Sequence, residues 1–112
     1  MTIEDLRTYG ADVEEGLTRC INNEAFYLKL VGKAVADPAF EQLEKAVADR
    51  DLVGAFEAAH KLKGALGNLA LTPVYEPVCE MVELLRKRED ADYGAYMEKV
   101  SRKRQELEEL TK

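Results

Sequence analysis

The chain has 112 residues, 46% hydrophobic and 34% charged, with a formal net charge of −6. That length suits one compact core, expected as a single domain over residues 1–112, and the recurring apolar positions exclude a disordered chain. The acidic balance disfavours nucleic acid as a partner, and no apolar run approaches the roughly 18 to 20 residues that cross a bilayer.

In chain order the signals are helical, with no useful stretch of period-two alternation. Thr2 with Asp5 reads as an N-cap and its reciprocal acid, opening a short helix (Ile3, Leu6, Tyr9) that Gly10 ends. Asp12 with Glu15 repeats the signal ahead of Val13, Leu17 and Ile21, a second short helix ending near Asn22–Asn23. A longer segment from Asn23 carries Phe26, Tyr27, Leu30, Val31 and Ala34 on one face and stops before Asp37–Pro38, a cap and first-turn proline for a helix that buries Phe40, Leu43 and Val47. A break at Asp49–Asp51 precedes a central helix.

After that central helix, Thr72–Pro73 reads as a cap and start, followed by the apolar stripe Val74, Val78, Met81 and Leu85. Pro77 removes a backbone donor beyond the first turn, so the regular part of this helix is expected to begin nearer Pro77 than Pro73. A polar turn, Arg88 to Asp92, leads to a last helix bearing Tyr93, Tyr96, Val100, Leu107 and Leu110. Its basic residues Lys99, Arg102, Lys103 and Arg104 run directly into Glu106, Glu108 and Glu109, the pattern of a solvated face. Short connections between the last four helices favour antiparallel neighbours, giving an all-α fold: an antiparallel up-down four-helix bundle with additional short N-terminal helices.

The opening MTIEDLRTYG is acidic and polar, unlike an export signal, and the expectation is a soluble cytoplasmic protein with no membrane partner. Cys20 and Cys79 both fall at apolar helical positions, where a free thiol acts as a small hydrophobe. With one histidine and no Cys-x-x-Cys pair, no metal site or bound cofactor is expected.

The one histidine lies in AAHKLKGALGNLA, residues 58–70. Leu52, Ala55, Ala59, Leu62, Leu66 and Leu69 alternate by three and four residues, the spacing of a buried seam. Against that seam His60, Gly64 and Gly67 fall on the opposite, solvent-facing side, with Glu57 there too and Lys63 at the flank. Interior glycine costs a helix about 1 kcal/mol relative to alanine, so the pair opposes helix formation by about 2 kcal/mol. Lying in line with His60, the two missing side chains would strip bulk from the surface beside the ring and let something large approach it. Lys63, about 5–6 Å from His60 between Cβ atoms, could reach an anion held on the ring. An unprotonated imidazole offers a ring-nitrogen lone pair as a nucleophile. Each residue alone has a bland reading: a bystander histidine, a solvating lysine, glycines that admit a neighbouring helix. At these offsets together they favour phosphorylation of the ring.

The stretch His60-Lys61-Leu62-Lys63-Gly64, followed by Asn68-Leu69, resembles the signature of histidine-containing phosphotransfer domains, the four-helix-bundle carriers of phosphorelays. Tyr9-Gly10-Ala11-Asp12-Val13, Gly16-Leu17 and Asn23-Glu24 with Phe26-Tyr27 are similar to the opening helices of bacterial members. The resemblance implies that His60 is the phosphoacceptor through its outer ring nitrogen, that Lys63 steadies the phosphoryl group, that Gly64 gives room for the partner, and that Asn68 is structural. Two positions depart from the pattern. Lys61 stands where members often have a small polar residue, which adds charge at the docking face, and Ala70 replaces the glycine that often follows Asn-Leu, which bears on the shape of the turn after the helix.

The resemblance implies a phosphorelay carrier in two-component signalling, not an enzyme. A response-regulator receiver domain brings an aspartyl phosphate, with its Mg²⁺, to His60, and another receiver accepts the group afterwards; a hybrid histidine kinase is a further expected partner, and the carrier is expected to be a monomer. Docking is expected on a shelf around His60 made by Lys61, Lys63, Gly64 and Gly67, rimmed by Glu57 and the small N-terminal helices. The alternative is a non-phosphorylated adaptor that docks a signalling partner through the same bundle. An autonomous hydrolase fares worst, because the sequence holds neither a nucleotide-binding Gly-x-x-x-x-Gly-Lys loop nor a clustered partner for the histidine.

Overall fold

The computed structural model describes residues 1–112 as seven helices and no strand: α1 (Ile3–Tyr9), α2 (Val13–Arg19), α3 (Glu24–Val35), α4 (Ala39–Ala48), α5 (Leu52–Asn68), α6 (Thr72–Arg86) and α7 (Tyr93–Leu110). The caps follow side-chain chemistry. Thr2 and Asp5 form a reciprocal capping box on α1, and Asp12, Asn23, Asp51 and Asp92 each accept from a backbone N–H one turn on. Asp37 accepts from the Ala39 N–H at 2.8 Å, with Pro38 between them in the cap position, one residue from the start expected.

Helices α4 to α7 form the up-down bundle. Arg86 of α6 lies over Phe56 near the start of α5, while Tyr75 lies against Gly67 near its end, so the two helices run antiparallel. α4 packs on α5 and α7, and α7 packs back on α6, closing the ring. One core of 27 buried residues runs through all seven helices, and no buried side-chain polar atom lacks a partner. No helix is long and apolar enough to cross a membrane.

The three N-terminal helices cover the end of the bundle where α5 stops and α6 begins. Tyr27 of α3 is fully buried and donates its hydroxyl to the Leu69 carbonyl at 2.8 Å; the Asp12 N–H donates to the Ala70 carbonyl at 3.0 Å; the Tyr9 hydroxyl reaches the Lys103 carbonyl on α7 at 2.9 Å. α2 can approach Tyr27 only because residue 16 is glycine: a Cβ there would lie 2.6 Å from the Tyr27 ring.

Several expectations are revised. α6 is continuous from Thr72, with Pro77 buried inside it, because the face Val74, Pro77, Val78, Met81, Val82 and Leu85 is fixed by packing that outweighs one lost backbone bond. Thr72 is the first helical residue rather than the cap, and its hydroxyl donates back to the Ala70 carbonyl at 3.3 Å. Ile21 leaves the apolar stripe of α2 altogether; it is 83% exposed, in a left-handed conformation (φ 51°) just past the helix end. Phe26 is also exposed. Arg104 does not belong to a solvated face: its guanidinium sits 4.4 Å from the Phe40 ring centroid, donates to the Val35 carbonyl at 2.9 Å and pairs with Glu41 at 2.9 Å, tying α7 to the α3–α4 junction. Cys20 and Cys79 are free thiols, the first buried and the second half-buried.

Candidate functional site

α5 owes its place to a face of small residues. Ala55, Ala58 and Ala59 are buried with Leu62 and Leu66, so α4 and α6 can come close along its N-terminal half. His60 projects on the other side, mid-helix, and is exposed. One turn earlier, Phe56 sets its ring 5.6 Å from the imidazole, tilted by 33°, and the Arg86 guanidinium lies 5.6 Å from the other end of this stack, over the Phe56 ring. The imidazole is therefore bounded on its N-terminal side and open on its C-terminal side.

What opens that second side is Gly64. A Cβ at residue 64 would meet nothing within 4 Å. Gly67 has another cause: a Cβ there would lie 2.8 Å from Cε1 of Tyr75, so this glycine admits a ring from α6. The expectation of two cleared positions thus divides, one open to solvent and one filled from within the protein.

His60, Lys63, Gly64 and Gly67 line a shallow depression of about 300 Å³ together with Arg19, Asn68 and Tyr75. Lys63 is half-buried and makes no ion pair, which leaves its ammonium available to an anion. The other two expected docking residues lie elsewhere. Glu57 and Lys61 face the recess between α4 and α5, beside Gln42, Lys45, Asp49 and Asp51, and Lys61 approaches Asp37 at 3.7 Å. On a helix, one residue is a turn of about 100°, enough to carry Lys61 from the face of His60 towards α4.

Arg19 and Tyr75 were missed from the sequence, because each arrives from a helix remote in the chain. Arg19 of α2 donates through Nη1 to the Gly67 carbonyl at 2.8 Å and through Nε to Glu15 at 2.9 Å. The neighbouring Cys79 thiol holds the Tyr75 phenol above the usual tyrosine range, while Arg19 pulls it down. Phe56 did carry a signal, an aromatic residue four before the histidine.

The helix turns out of the site through a left-handed residue. Ala70 has φ 54°, its N–H bonds to the Gly67 carbonyl at 3.1 Å, and the Leu71 N–H bonds to the Leu66 carbonyl at 3.1 Å. These two bonds make a complete Schellman ending with alanine at the position usually held by glycine. The turn survives the departure noted at Ala70.

A separate recess of about 570 Å³ lies between the α4–α5 and α6–α7 turns and contains none of these residues. No cluster of three or more His, Cys, Asp or Glu side chains stands ready to hold a metal ion.

Comparison with known proteins gives one result. A family model, the Hpt domain, matches residues 34–112, which span α4 to α7 and the last two residues of α3. Neither the curated proteins nor the solved structures contain a match to the chain. The chain belongs to the Hpt domain family, phosphocarriers of histidine phosphotransfer that interact with receiver domains and kinases in phosphorelay signalling.

Proposed function

We propose that His60 accepts a phosphoryl group from the aspartyl phosphate of a response-regulator receiver domain and passes it to a second receiver. The observation that carries this reading is the join of three features on one face: an exposed imidazole, a half-buried lysine without an ion pair one turn on, and a glycine whose missing side chain leaves open space. His60 is also the only histidine of the chain, and it lies inside the matched residues.

In the step, the lone pair of His60 Nε2 attacks phosphorus in line with the scissile bond. The bond from phosphorus to the aspartyl oxygen breaks, the carboxylate leaves with the electron pair, and once the P–N bond has formed the imidazole releases its Nδ1 proton to water. Lys63 balances charge on the transferred phosphoryl oxygens. Gly64 lets the partner backbone approach to reacting distance. The Mg²⁺ that neutralises the acyl phosphate belongs to the receiver, so the chain needs no cofactor of its own. Residues 1–112 act as one monomeric unit, orienting the acceptor while the complex supplies the rest.

Incubation with a phosphorylated receiver tests this. The wild-type chain should acquire a phosphoryl group that is labile to acid and stable to alkali, and His60→Gln should acquire none. Binding of the receiver with no labelling of either chain would instead make the protein an adaptor.

A further inference from the structure

The depression around His60 has a cationic wall that comes from outside the matched residues. Its lining contains Arg19 and Lys63 and no acidic side chain, although the chain as a whole carries 22 acidic against 16 basic residues. Arg19 belongs to α2, and α2 precedes residue 34, where the family match begins. The Gly67 carbonyl that Arg19 contacts already accepts from the backbone N–H groups of Leu69 and Ala70, so the guanidinium is not there to satisfy an orphaned acceptor. Its position is fixed instead by Glu15, which Nε and Nη2 both approach at 2.9 Å. One N–H on Nη1 and one on Nη2 remain uncommitted.

Distance decides what such a group can do. Gly67 is seven residues beyond His60, about 10 Å along the helix axis, whereas Lys63 is about 4.5 Å along it. Arg19 is too far from the imidazole to touch a phosphoryl group there, and well placed to touch the protein that delivers it. A depression lined by two cations and no acid, on a chain of net charge −6, is complementary to an acidic surface on the protein that delivers the phosphoryl group.

We infer that Arg19 is a specificity-determining docking residue: the N-terminal helices hold a preorganised guanidinium at the edge of the His60 depression, where it pairs with an acidic surface of the receiver domain and leaves the chemical step to His60 and Lys63. This rests on the phosphotransfer reading. A rim charge acts on encounter and complex stability, is weakened by salt, and should change KM rather than the rate at saturation. Glu15 partly neutralises the same guanidinium, so it should oppose docking.

Transfer from a phosphorylated receiver, measured against receiver concentration at low and high salt, tests the inference. Arg19→Gln should raise KM about 3- to 10-fold at low ionic strength, with the saturating rate retained and the difference shrinking as salt rises; Arg19→Lys should recover part of the loss. Glu15→Gln, which keeps an acceptor for Arg19 and removes the opposing charge, should lower KM. A purely structural Arg19 predicts that both substitutions change thermal stability and leave KM and its salt dependence alone, and that result overturns the inference. Should Arg19→Gln unfold, the direction of the Glu15→Gln change decides by itself. Labelling of the wild-type chain with phosphoramidate, a small donor that needs no docking, separates the two levels: no phosphohistidine there removes the parent reading, whereas labelling with an unmoved KM removes only the role of Arg19.

Discussion

Cε1 of Tyr75 stands 2.8 Å from where a Cβ on residue 67 would be, while three residues earlier the same addition at residue 64 would touch nothing. Two glycines that look alike in the sequence are held by different requirements, one by an internal ring and one by nothing inside the molecule. Gly64→Ala should stabilise the helix by up to about 1 kcal/mol, since only propensity changes. Gly67→Ala should gain the same propensity and lose it to displacement of Tyr75, so its melting temperature should fall below that of Gly64→Ala. Gly64→Phe should fold and transfer phosphate at least about tenfold more slowly, because the obstruction meets the partner alone. Thermal melts by circular dichroism, with one transfer assay, check all three; equal melting of the two alanine variants would contradict the distinction.

Ala70 offers a second test. A left-handed alanine costs roughly 1–2 kcal/mol that glycine avoids, against the larger unfolded-state entropy of glycine. With φ at 54° and both hydrogen bonds of the turn in place, Ala70→Gly should stabilise the protein by about 1 kcal/mol in urea unfolding, without altering transfer. A loss of stability would mean that the turn is held by something other than backbone conformation.

Burial pushes the Tyr27 phenol up to about 12, and its hydroxyl bonds to the Leu69 carbonyl. A free tyrosine ionises near ~10. Below that pH the contribution is fully present; between about 10 and 12 the unfolded chain ionises first, so stability falls as pH rises, by at most about 1.4 kcal/mol per unit. Tyr27→Phe should cost about 1 kcal/mol at neutral pH from the lost hydrogen bond and show a shallower decline above pH 10. The gap between the two proteins should therefore narrow in alkali, as read from denaturant midpoints.

The Arg86–Phe56–His60 stack predicts a measurable coupling. A double-mutant cycle of Phe56→Leu and Arg86→Gln should give about 0.5–1 kcal/mol between the two sites. Additive losses would show that the guanidinium merely lies nearby.

Much of the molecule was legible because local chemistry decides it. The caps at Thr2 and Asp12 announce helix starts, the segment start at Asn23 and the break at Asp49–Asp51 mark two more, and the seam from Ala55 to Leu69 turns His60 outward. Pro77 was misread because packing of α6 overrides a local penalty, and Ile21 because the helix ends in a left-handed residue that is not glycine. Arg50 and Arg88 end α4 and α6 in the same conformation. At the site, Lys61 lies one helical step from His60 and faces the recess beside α4, a placement that depends on how α4 packs on α5 rather than on the apolar pattern of α5 alone. Arg19 and Tyr75 had no local signal, since their approach to Gly67 depends on how α2 and α6 pack.

The central claim is that the one imidazole is the acceptor, and mapping the phosphoryl group tests it most directly. After the chain is mixed with a receiver carrying labelled aspartyl phosphate, digestion under alkaline conditions and fragmentation by mass spectrometry should find the label on His60, in an amount equal to that lost from the receiver. Label released only as inorganic phosphate, or retained on any other residue or on His60→Gln, would contradict the account.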